Sequence, residues 1–279
     1  MKRIVITAIL CGMMGGVYAQ QVKTDSVKTT ADTVMTKKKH FRIRIGTPRK
    51  ADTTSVSNQK QVEHHDAKPQ KTSGFSFGLT FSNLHLGFAT LLDNGSFTLS
   101  PKNDFLSYRQ FKTSNVGFDL LKFGYRFNDN FKVSLAAGFD WTHIRLTKNI
   151  TMLGDGPALA YRTDNITYSK NRFSSNYLVL PLSFDLRTKE DRDGKRFHFI
   201  FGPEAGFLID GMVKQISEEH GKQKDFNDFH FTRFEYGGFA RIGYGDVAIY
   251  TKYYFNDMFE NSPDQKGLKS FSFGLTVGF

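Results

Sequence analysis

Ser270-Phe271-Ser272-Phe273-Gly274-Leu275-Thr276-Val277-Gly278-Phe279 alternates small or polar residues with large apolar ones and places the aromatic Phe279 last. Successive side chains of a strand point to opposite faces. The decapeptide therefore carries one ribbon of Phe271, Phe273, Leu275, Val277 and Phe279, and another of Ser, Gly and Thr. A strand wetted on one face rarely puts its most apolar ribbon at the end of a chain, whereas the closing strand of a membrane barrel needs one face for lipid and one for the interior. The stretch predicts a transmembrane β-barrel, and the terminal strand with Phe279 is expected to be what the outer-membrane insertion machinery engages.

Working back from it, eight strands are predicted, over approximately Gly74 to Ala89, Asn115 to Phe127, Phe131 to Leu146, Ser174 to Arg187, Arg196 to Asp210, Phe229 to Tyr244, Val247 to Asp257 and Leu268 to Phe279. Phe75, Phe77, Leu79 and Phe81 form the apolar face of the first. The phase then slips near Asn83, so that Leu84, Leu86 and Phe88 continue it, the mark of a bulge. In the third, Phe131, Val133, Leu135, Ala137, Phe139 and Trp141 oppose Lys132, Ser134, Ala136, Gly138, Asp140 and Thr142. In the fourth, Leu178, Leu180, Leu182, Phe184 and Leu186 oppose Ser183, Asp185 and Arg187. Tyr125, Trp141, Tyr177 and Tyr244 stand near strand ends and suit interfacial aromatic belts.

The connections carry as much information as the strands. Those after odd strands are long (Thr90 to Ser114, Thr147 to Phe173, Gly211 to Phe229, Met258 to Gly267), and those after even strands are short (Asn128 to Asn130, Thr188 to Lys195, Gly245-Asp246). Long outside and short in the periplasm is the pattern of an outer-membrane barrel, and it puts the N-terminal segment in the periplasm.

That segment reads differently. Lys2 and Arg3 precede an apolar run from Ile4 to Val17, and Val17-Tyr18-Ala19 supplies a cleavage site, so residues 1–19 are expected to be a secretory signal peptide. Cys11, the only cysteine, lies within it, which leaves no disulfide or thiolate chemistry to the mature chain. Residues 20–73 hold twelve Lys or Arg against five Asp or Glu, a net +7. The whole chain is at +11, so the barrel region is close to balanced. Rich in Thr, Ser, Lys and Gln, the segment is expected to be a flexible basic periplasmic linker. Phe41-Arg-Ile-Arg-Ile-Gly46 within it has the alternation of an added strand, and His64-His65-Asp66 holds metal-binding residue types, with a solvated tail the expectation for both.

An eight-stranded barrel is narrow, so its interior is filled by side chains. Asp119, Lys122, Arg126, Asp140, Asp185, Glu204, Glu235, Arg241 and Lys252 are the candidate inward or rim charges, with both signs available for pairing. His85, His143, Ser107 and scattered Asp residues show no local motif that fixes a nucleophile beside a base. Gly154-Asp-Gly156 and Gly237-Gly238 read as turn and close-packing glycines, not a phosphate cradle. No catalytic, cofactor-binding or metal-binding residue is predicted, nor any cofactor. The basic charge, placed in an exported segment, does not indicate nucleic acid.

These features together resemble the outer-membrane β-barrel domain family common in Bacteroidetes, the small barrels often labelled PorT-like. The likeness covers roughly Gly74 to Phe279. It is carried by Tyr177-Leu-Val-Leu-Pro-Leu182, Phe201-Gly-Pro-Glu-Ala-Gly206, Phe234 to Tyr244, Tyr253 to Phe259 and the closing Phe271 to Phe279. The resemblance implies an outer-membrane barrel and no family catalytic residue. Expected partners are outer-membrane lipid and lipopolysaccharide, the barrel-insertion machinery through the last strand, and a periplasmic or outer-membrane protein. Three roles fit: a structural or accessory subunit of an envelope assembly, including secretion machinery; a surface or adhesion protein binding through its long loops; and a narrow small-solute channel.

Overall fold

A computed structural model describes residues 74–278. The expected signal peptide, the basic linker with its 41–46 hexamer and His64-His65-Asp66, and Phe279 lie outside the described residues.

Eleven strands are present among the described residues: β1 (Gly74–Asp93), β2 (Ser114–Arg126), β3 (Phe131–Arg145), β4 (Ile150–Leu153), β5 (Ala160–Thr163), β6 (Lys170–Arg187), β7 (Phe197–Ser217), β8 (Gly221–Asn227), β9 (Phe234–Tyr244), β10 (Val247–Tyr254) and β11 (Leu268–Val277). Eight of them form an all-antiparallel transmembrane barrel, with neighbours β1-β2-β3-β6-β7-β9-β10-β11 and closure by β11 on β1. Closure leaves no continuous open edge, which is what a sheet requires where no water is available for its backbone. Followed once round through paired residues, the register leads from Gly74 back to Gly87 on the same strand. That stagger is the shear a tilted barrel needs.

The alternation predicted from the sequence sets the two faces. Phe75, Phe77, Leu79, Phe81, Leu84, Leu86, Leu121, Phe123, Leu135, Phe199, Ile242, Ile249, Phe273 and Leu275 all point outward, Phe75 and Phe77 with about three quarters of their surface free (75% and 76%). Such an apolar wall is untenable in water and is the wall lipid requires. The predicted slip near Asn83 is real: the β1–β2 register shifts between Leu79 and His85, and Asn83 adopts φ +50°. The extra residues there return Leu84 and Leu86 to the outer face.

At one end the turns are short. Gly245, at φ +63°, opens the Gly245–Asp246 turn between β9 and β10, a conformation that suits glycine. At the other end the long connections are ordered. Strands β6 and β7 run past the barrel and add β8 as a third strand, while β4 and β5 pair as a separate hairpin. The strand expected from Phe229 starts five residues later, at Phe234, because Phe229 and Phe231 are drawn into the core formed by these connections.

Candidate functional site

Two regions carry the arranged chemistry: the polar interior of the barrel and the cap built from its long connections.

The interior centres on Lys252 of β10. Its Nζ lies 2.6 Å from Asp140 Oδ2 and 3.1 Å from Glu204 Oε1, so strands β3 and β7 are tied to β10 across the lumen. The two carboxylates are themselves held. His85 Nε2 is 3.0 Å from Asp140 Oδ2, Asn115 donates to Asp140 Oδ1, and Tyr254 OH donates to Glu204 Oε1 at 2.8 Å. Tyr250 OH donates to Asn115 Oδ1 at 3.0 Å, and Asn83 donates to Asp119. All these groups are buried. A buried charge is tolerated only when paired and hydrogen-bonded, and here every carboxylate of the triad has at least two partners. Gly117 makes the packing feasible: a Cβ there would lie 2.5 Å from His85 Cε1, so any side chain would displace the histidine.

Nearer the short turns, Asp185 accepts from Arg187 Nε at 2.7 Å and faces His198 Nδ1 at 3.2 Å, and Arg241 lies over the Phe239 ring at 4.6 Å. Of the nine predicted charges, Asp119, Asp140, Asp185, Glu204, Glu235, Arg241 and Lys252 are buried inside, and Lys122 and Arg126 are half-buried toward the short-turn end. Sequence reasoning did not identify Asn83, His85, Asn115, Tyr250, Tyr254 and His198 as network members. Their inward phase was the available signal.

The cap is a second core. Leu91, Phe105, Leu106, Ile144, Leu146, Ile150, Met152, Leu159, Phe173, Val213, Phe229, Phe231, Met258, Phe259 and Leu268 form one buried cluster drawn from all four long connections and the adjoining strand ends. Phe173 stands at its centre, fully buried, with ring centroids 4.6 Å from Phe231, 5.6 Å from Phe229 and 6.1 Å from Phe259. Hydrogen bonds fix the loops around it. Tyr108 OH meets Thr90 Oγ1 at 2.6 Å and accepts from Leu91 N at 3.0 Å; Asp93 accepts from Ser100 N and Asn103; Asn171 and Gln215 both donate to Ile150 O. Outside the core, a hydrogen bond from Lys148, then one from Ser107, holds the Asp104 carboxyl below its ordinary value. Burial pushes Asp164 up, but hydrogen bonds from Thr151, Arg162 and Tyr168 outweigh it and leave that carboxyl lowered.

Between cap and network lies a cavity of about 20 Å³ lined by Thr142, Tyr177, Thr232, Glu235 and Tyr254 among others. It has room for one water and no solute. Tyr177 corrects an expectation: it points inward, 5% exposed, and donates to Thr232 O at 2.8 Å. The phase of Leu178 to Leu186 already required this. Tyr125 and Tyr244 at the short-turn end and Trp141 at the other do face outward.

The scattered His85, His143 and Ser107 are not brought together. His85 is in the lumen, His143 lies on the outer wall with Nδ1 3.0 Å from Ser174 Oγ, and Ser107 donates to Asp104 in a loop. Among the described residues, no group of three or more His, Cys, Asp or Glu converges as metal ligands would.

A family model described as outer membrane protein beta-barrel domain matches residues 73–260. No curated protein matches the sequence. Among solved structures, Ail, the attachment invasion locus protein of Yersinia pestis, in complex with the heparin analogue sucrose octasulfate, is similar over 71% of this chain and 97% of its own, at 14% identity and a TM-score of 0.29.

Proposed function

We propose, for a chain that belongs to the outer membrane protein beta-barrel domain family, that it acts without catalysis as a closed, rigid barrel: a structural or accessory subunit of an envelope assembly. The short turns face the periplasm and the cap faces outward, following the rule for such barrels. The observation that carries the reading is the double closure of the interior. A buried ionic network crosses the lumen and an apolar core seals the long-loop end. Together they leave side chains where a channel would need a wet path, so the channel role is set aside.

The PorT-like markers, which fall on β6, β7, β9, β10 and β11, support placing the chain among the Bacteroidetes barrels and make a secretion-related assembly the first to examine. A rigid barrel contributes surfaces, and the basic segment at residues 20–73 supplies one on the periplasmic side. The test is purification from native outer membranes in gentle detergent, comparing the intact protein with one lacking residues 20–73. A protein partner that co-purifies with the intact protein alone is expected; a clean monomer in both cases contradicts the assembly role.

One observation favours a second reading. The long connections are not loose but share one core, so the cap can present a fixed surface to a ligand, as a surface-binding or adhesion protein would. Replacing the exposed tips of the cap while keeping its core separates the two, because partner retention through the periplasmic side would survive that change.

A further inference from the structure

The outer face of the sheet extension β3-β6-β7-β8 carries charge with no internal explanation. Arg145 is directly opposite Arg172, Arg172 opposite Lys214, and Lys214 opposite Lys224, which makes an unbroken transverse row of four cations on one face. One step toward the tips, the same face carries Lys170 and Lys222 on either side of Ile216. Directly opposed residues hold their Cβ atoms about 4.5–5.5 Å apart, and like charges so placed destabilise a sheet. Among the described residues none of the six forms an ion pair. The Arg145 guanidinium donates to the backbone oxygen of Ser169, and Arg172 Nε is buried without a hydrogen-bond partner. The nearest carboxylate on the face, Asp210, lies two steps below the row, opposite Asn176; Glu218 and Glu219 are in the β7–β8 turn.

Below the row the face is mixed. Val116, Trp141, Met212 and Phe226 line an open groove of about 400 Å³ together with Ser174, Ser175, Asn176 and Asp210, and its upper wall includes Arg172, Lys224 and His143. The groove continues downward into the lipid-facing wall at Leu178, two residues past Asn176 on β6. A ligand that fits both parts has acyl chains below and negative charge at the height of the headgroups. Opposed cations with planar and point-charge donors suit phosphate oxygens, and neutralising them relieves the repulsion within the sheet.

We propose that this face is a binding site for a phosphorylated, multiply acylated glycolipid of the outer leaflet, its phosphate held by the row Arg145, Arg172, Lys214 and Lys224 and an acyl chain lying along Trp141, Met212 and Phe226. The site rests on the outward orientation of the cap proposed above. It would anchor the barrel laterally and set its depth in the leaflet.

The test reconstitutes the full protein in neutral phosphatidylcholine nanodiscs and measures retention of bisphosphorylated lipid A, dephosphorylated lipid A and soluble polyphosphate. Wild type is expected to retain bisphosphorylated lipid A about tenfold or more over the dephosphorylated lipid, the equivalent of one good charge-assisted contact. R172Q/K214Q/K224Q is expected to remove that preference, while K189Q/K195Q at the opposite end leaves it intact. Equal retention of both lipids by wild type overturns the site without requiring any variant to fold, as does an unchanged preference in a triple variant that folds. Polyphosphate displacing lipid A at equal phosphate concentration overturns the lipid as occupant. An epitope placed in the 218–220 turn and probed on intact cells tests orientation separately. If it is accessible and there is no lipid preference, the site alone fails; if it is inaccessible, the orientation fails.

Discussion

At the scale of single residues, Lys252 decides the interior. It is the cation between Asp140 and Glu204, and removing it leaves two buried carboxylates facing one another. Lys252→Met is expected to lower the free energy of unfolding by about 3–5 kcal/mol, the cost of breaking a buried pair by deleting one partner, measured by urea titration of the barrel in lipid vesicles. A loss below about 1 kcal/mol would mean the network is solvated. Asp164 gives a pH signature in the cap. Its carboxyl is held below the ordinary value in the folded state, so its contribution is complete above the unfolded carboxylate range and is lost as pH falls through the lowered folded value. Hydrogen exchange of the β4–β5 hairpin should therefore stay protected at neutral pH and open at strongly acid pH. In Asp164→Asn, protection should be lower at neutral pH and lose this acid step; an acid step of undiminished size in that variant would assign the effect to another group.

At the scale of elements, what could be read from the sequence depended on periodicity. The strands were legible because each barrel strand must satisfy two solvents at once, and the slip at Asn83 was legible as the one phase change within β1. The same alternation located Asp140, Glu204 and Lys252. The cap was not legible, because Phe105, Leu106, Ile150, Met152, Phe229, Phe231, Met258 and Phe259 are spread over four connections, in pairs too short to show a period. Their convergence depends on closure of the barrel, which brings the loop ends to one rim. For the same reason Phe229 was assigned to a strand when it belongs to the cap, and the basic row was invisible until register placed Arg145, Arg172, Lys214 and Lys224 side by side.

Two predictions belong at this scale. Leu86→Arg, on the lipid-facing side of β1, should cost about 2–4 kcal/mol if that face is near the bilayer midplane, read as the folded fraction in vesicles. No penalty would place the face outside the hydrocarbon. Phe173→Ala should remove about 3–5 kcal/mol from the cap, exposing the 147–169 and 218–233 connections to protease while the barrel keeps its heat-modifiable mobility on gels. Simultaneous loss of both would make cap and barrel one cooperative unit.

At the scale of the whole molecule, lipid meets an apolar wall, the lumen is bridged by paired charges, and the long-loop end is closed by an apolar core. Each of these arrangements limits motion, and among the described residues side chains fill the lumen. In the role we propose, the barrel is a rigid body that offers its surfaces. The most direct measurement of this claim is electrical. Purified full-length protein incorporated into a planar bilayer, its insertion verified independently, should show no unitary conductance across the range of applied voltage, in wild type and with the cap loosened by Phe173→Ala, because the Lys252 network still crosses the lumen. Stable, voltage-independent conductance steps from the wild-type protein would contradict the closed barrel and restore the channel role.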